Sequence, residues 1–90
     1  MNTNIVTYAK VFLIQDSDST LRGYAEVKLY DFVILAGIKI IESEDGEIRI
    51  HYPKNPKSKR GMYYHFIPDP TVRTIFEDAI IDAYQNELEK

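Results

Sequence analysis

Ninety residues, 44% hydrophobic and 28% charged, fit one folded domain and exclude a disordered chain. The absence of cysteine excludes disulfides and thiolate metal sites. A formal charge of -3 argues against an indiscriminate polyanion binder, so the distribution of charge matters more than its sum.

The opening stretch MNTNIVTYAK has no long apolar run of the signal-peptide kind. The most apolar stretch, FVILAGI, is too short to span a bilayer. A soluble cytoplasmic protein is the expectation. IVTYAKVFLI (5–14) is rich in β-branched and aromatic residues and predicts a strand. QDSDST (15–20) is a cluster of turn formers. LRGYAEVKLY (21–30) alternates, with Leu21, Gly23, Ala25, Val27 and Leu29 on one side and Arg22, Tyr24, Glu26, Lys28 and Tyr30 on the other. The first set is small and apolar and is expected to face the core and carry the helix.

A tight turn at Asp31 leads into FVILAGIKII (32–41), apolar on both faces as in a central strand covered on both sides. SEDGE (43–47) predicts a hairpin turn, with Asp45-Gly46 where φ must be positive. IRIHY (48–52) alternates again, and MYYHFI (62–67) predicts a fifth strand. The period then changes. Val72, Ile75, Phe76, Ala79, Ile80, Ala83, Tyr84 and Leu88 recur at helical spacing, with Asp69 as N-cap and Pro70 in the first turn. Arg73 and Glu77 fall four apart on the wet face of that helix. The predicted fold is α+β: an antiparallel sheet of about five strands followed by one C-terminal amphipathic helix.

Charge is not spread evenly over this plan. From Ile48 through Pro68 there is no acid and there are five cations, Arg49, Lys54, Lys57, Lys59 and Arg60. With the chain at -3 and this segment at +5, the remainder stands at -8. Pro53 and Pro56 resist continuation of either flanking strand, and Gly61 lets the chain turn back. The segment therefore predicts an exposed loop carrying Lys54, Lys57, Lys59 and Arg60. Four such cations on phosphates correspond to a log–log salt slope of roughly -3 to -4. Tyr52, Tyr63 and Tyr64 flank the loop as candidates for stacking on unpaired bases, at about 1–3 kcal/mol each. The plainer alternative, a solvated hairpin loop, has equal weight on composition alone.

Catalytic chemistry is hard to assemble. His51 and His65 are the only acid/base candidates for neutral pH. Paired strands could bring them together with Glu47 or Asp69, but no metal-ligand motif is present. There is no cysteine nucleophile, no G-x-S-x-G and no phosphate loop. The expectation is no enzyme, no cofactor, no metal and no small-molecule substrate. A second constellation lies on the outer faces of the first two strands: Tyr8, Lys10 and Phe12 with Arg22, Tyr24, Lys28 and Tyr30. Interleaved rings and cations suit a stacking platform for single strands. A face covered by a partner protein accounts for them more simply.

The succession VTYAKV, LRGYAEVKLYDFVILAGIKIIESEDGEIRIHYP, a basic loop, a proline segment and FEDAIIDAYQNEL resembles the stage V sporulation protein G (SpoVG) family of septation regulators. The resemblance covers nearly the whole chain, as one domain over 1–90. It implies a small bacterial cytoplasmic homodimer that binds DNA and RNA as a regulator of gene expression in septation- or sporulation-type processes. It also implies nucleic-acid contacts in the loop Pro53–Gly61, hence at Lys54, Lys57, Lys59 and Arg60. The family pattern has Ser-Lys-Arg close after the proline. Here Ser58-Lys59-Arg60 comes five residues after Pro53, and Ile67-Pro68 stands near the place of a histidine-proline pair. The alternative from another class is a protein-interaction module. It would act on a division or regulatory protein through the aromatic strand face and bind no nucleic acid.

Overall fold

The structure is a computed structural model that describes residues 5–15, 19–31, 33–54, 57 and 67–90. Its strands are β1 (Val6–Leu13), β2 (Leu21–Leu29), β3 (Val33–Glu42) and β4 (Ile48–His51), and its helix is α1 (Pro70–Leu88). The strands pair antiparallel in chain order, β1-β2-β3-β4. The α+β plan is as expected, but the sheet of the described residues has four strands rather than five. The expected fifth, 62–67, lies outside the described residues except for Ile67, which is buried and outside any strand.

Turn chemistry sets the hairpins. At the β3–β4 turn Gly46 takes φ 85°, Ser43 N–H donates to Glu47 O at 2.9 Å, and Gly46 N–H donates to Ser43 O at 2.9 Å. This is the Asp-Gly turn that the sequence predicts. At the β2–β3 turn Tyr30 and Asp31 take φ 54° and 68°. A tyrosine in the left-handed region carries strain, since its Cβ crowds the following carbonyl.

Three bulges break the alternation. In β1 the register steps from Val6↔Leu29 to Tyr8↔Lys28, leaving Thr7 as the extra residue. In β3 the step from Leu35 to Ile38 across Val27 and Ala25 inserts one residue at Ala36–Gly37, with Gly37 at φ 73°. In β2 the step from Leu21↔Ile41 to Gly23↔Ile40 makes Arg22 extra. This third bulge corrects the expected face assignment. Ile40 is fully buried and Ile41 alternates with it, so Leu21, paired to Ile41, lies on the open face rather than the core face.

The core forms where one sheet face meets the helix. Val11, Ala25, Val27, Leu29, Ile38 and Ile40 pack with Ile67, Phe76, Ile80 and Tyr84. The helix thus covers the small apolar face of β2, as expected. It contacts β1 most. Asp69 caps it, accepting from Thr71 N at 2.9 Å and Val72 N at 3.1 Å, with Pro70 opening the first turn. The buried stripe is narrower than the sequence pattern. Phe76, Ile80 and Tyr84 are buried, whereas Ile75 and Leu88 are exposed. β3 is central, yet among the described residues only one of its faces is covered. On the open face Ile34, paired with Lys28, is 53% exposed. This corrects the expectation of a strand covered on both sides.

Candidate nucleic-acid interface

The chain leaves β4 toward the basic segment from a fixed base. Tyr52 follows β4, and its ring stacks on Phe76 of α1, with centroids 5.6 Å apart and planes 6° from parallel. Burial raises the Tyr52 phenol pKa first, and the nearby Glu77 carboxylate raises it further. The Ile67 backbone and Arg73 act in the opposite sense. Burial likewise raises the Glu77 carboxyl, against the pull of Arg73. Arg73 and Glu77 are therefore half-buried neighbours of Tyr52 rather than a fully wet pair. Tyr52 is held against the helix, with one ring face taken by Phe76. Pro53 sits against the β3 bulge, where a Cβ built on Gly37 would lie 3.8 Å from the proline Cβ and Cγ.

Beyond this base Lys54 and Lys57 are exposed. Lys59, Arg60, Tyr63, Tyr64 and His65 lie outside the described residues. His51 is exposed and lies opposite Lys39 in the β3–β4 register. Among the described residues no group of three His, Cys, Asp or Glu side chains gathers as a metal site would require.

The sheet face away from the helix carries the second constellation, rearranged. Phe12 pairs with Tyr24, Tyr24 with Lys39, and Lys39 with His51, so one transverse row crosses all four strands. A neighbouring row sets Tyr8 beside Lys28 and Ile34, and Lys10 lies opposite Glu26 between them. Phe12 is 47% and Tyr24 36% exposed. The Lys10 ammonium lies 5.1 Å from the Phe12 ring centroid and that of Lys28 6.0 Å from Tyr8. The Tyr8 hydroxyl donates to Glu26 Oε2 at 2.6 Å, which raises the phenol pKa.

Arg22 does not share this face as expected. The bulge redirects it: Nη1 donates to Ser19 O at 2.7 Å, and Nε lies 3.8 Å from Glu42 Oε1. The Tyr84 phenol of the helix is raised, first by burial and then by Glu42, with Arg22 acting in the opposite sense. Lys39 and Arg49 take the place left by Arg22 on the open face. Their signal was in the sequence, in the polar positions of IKI and IRI, but only the register joins them to Phe12 and Tyr24.

The family model SpoVG matches residues 4–86, nearly the whole chain. The chain belongs to the SpoVG family. A comparison with curated proteins finds no match. Membership places this SpoVG-family chain among regulators linked to sporulation and septation, a regulatory family rather than an enzymatic one. Among the described residues no helix is long and apolar enough to cross a membrane.

Proposed function

We propose that this protein is a nucleic-acid-binding regulator that acts as a cytoplasmic homodimer and grips DNA or RNA through the loop Pro53–Gly61. The observation that carries this reading is the concentration of charge. An acidic chain places Lys54, Lys57, Lys59 and Arg60 within seven positions, directly after the anchored Tyr52 and Pro53. Lysines on a loop held at its base can reach phosphates without disturbing the core. Phosphate contacts supply affinity and set orientation. Arg60, whose guanidinium fork can bond O6 and N7 of guanine together, is the residue assigned to a base edge. A two-fold dimer doubles the contacts and sets two loops along one target.

The test is binding of the purified protein to duplex DNA and to single-stranded RNA across a salt series, beside K57A/K59A/R60A. Affinity is expected to fall with salt at a log–log slope of roughly -3 to -4 per protomer and to collapse in the variant. A variant that binds with the native slope overturns the loop assignment. Sedimentation equilibrium tests the dimer.

A further inference from the structure

We propose that the open face of the sheet is a platform for single-stranded nucleic acid, with bases stacked on Phe12 and Tyr24 and phosphates held by Lys10, Lys28 and Lys39. This rests on the nucleic-acid reading above and adds a second surface and a strand preference to it.

Three observations converge. The first is geometric. Phe12 and Tyr24 are direct cross-strand partners, both exposed on one face. Neighbouring strands lie about 4.8 Å apart, so the two rings can receive neighbouring bases of a splayed strand. A duplex keeps its base faces inside the stack and cannot use such rings, whereas a single strand offers one π-face per nucleotide.

The second is charge. Among the described residues the face carries four cations, Lys10, Lys28, Lys39 and Arg49, against two carboxylates, Glu26 and the Glu47 that lies 3.3 Å from Arg49. Glu26 is already engaged by the Tyr8 hydroxyl. The described part of the face is thus net positive on a chain of formal charge -3. That sign matches a polyanion. It opposes a second copy of the same face, since a two-fold axis through it would bring like excess charges together.

The third is continuity. The Phe12–Tyr24–Lys39 row ends at His51, and the chain then passes through Tyr52 and Pro53 into the basic loop. A strand leaving the two rings over Lys39 runs toward β4, the edge strand from which the chain continues to Lys54.

The experiment compares the full chain with F12A/Y24A and with K57A/K59A/R60A. Fluorescence anisotropy is read on a labelled oligouridine strand and on a DNA duplex. F12A/Y24A is expected to weaken oligouridine binding about tenfold or more, with duplex binding changed by no more than about twofold. In parallel, the unaltered protein is crosslinked to 4-thiouridine RNA and the modified peptides are mapped. Crosslinks at Phe12 or Tyr24 are expected, and this arm does not depend on how the variant folds. Oligouridine affinity unchanged in F12A/Y24A, with crosslinks confined to the loop, overturns the platform and leaves the loop reading standing. No binding of either probe by the unaltered protein overturns both. Dissociation of a dimer in F12A/Y24A assigns the face to a second copy and overturns the platform as well.

Discussion

Gly23 is the position where a single methyl group should do measurable harm. It is buried between Leu13 of β1 and Ile40 of β3. A Cβ added there would lie 2.6 Å from the Phe12 carbonyl oxygen and 3.4 Å from both Leu13 Cα and Phe12 C. Relaxed C···O contacts between strands run about 3.3–3.6 Å, so β1 must open by about 0.7 Å or more. The obstructing atom is backbone of a paired strand and cannot rotate away. Overpacking of this kind costs about 1–3 kcal/mol. Alanine offsets about 0.4–1 kcal/mol of that by narrowing the unfolded ensemble. Gly23→Ala should therefore destabilise by roughly 1–2 kcal/mol, and at about 4–8 °C per kcal/mol the Tm should fall by about 4–16 °C. Thermal and urea melts followed by circular dichroism check it. A Tm equal to or above that of the unaltered protein would refute the steric reasoning. Because the displaced carbonyl belongs to Phe12, the folded fraction should also bind oligouridine less well if the open-face platform holds.

Two further outcomes follow from the helix cap and the β3–β4 turn. Asp69→Ala removes the acceptor for Thr71 N and Val72 N and should cost about 1 kcal/mol in urea unfolding, with Asp69→Asn retaining most of the stability. Equal losses in the two variants would show that the cap bonds are not the cause. The Asp45 carboxyl is held below its usual pKa, first by the Ser43 hydroxyl and then by the Glu47 amide. A folded pKa below the unfolded one means that the turn's stabilisation is complete above the ordinary carboxylate range and is lost as pH falls through the depressed value. The Glu47 amide shift should report this titration by NMR and lose it in Asp45→Asn. An Asp45 pKa equal to that of an unstructured peptide would remove the basis for it.

Most of the fold was legible because local chemistry and tertiary context agreed. Asp45-Gly46 specified its turn, Asp69-Pro70 specified its cap, and the alternation of Ala25, Val27 and Leu29 marked the face the helix covers. The bulges were not legible. Nothing in LRGY says that Arg22 is an extra residue, and a one-residue slip there moves Leu21 to the open face and turns Arg22 toward Glu42. Apolar residues on both sides of β3 read as double burial, yet among the described residues Ile34 on the second face stays exposed. Tyr52 looked like a flanking ring because its stacking partner, Phe76, is distant in sequence. Lys39 joins Phe12 and Tyr24 only through the register of three strands.

The strand order has a kinetic consequence. Each strand pairs with its neighbour in the chain, so every pairing of the meander closes a short loop at small entropic cost. The helix is different: its main partner is β1, at the opposite end of the described chain. Hairpins are therefore placed to form early, and docking of α1 beneath β1 is the long-range closure that ends the search. Until it occurs, the apolar face of β2 and β3 is bare on a partly folded chain. That interval, rather than the finished structure, is when this protein is most exposed to aggregation.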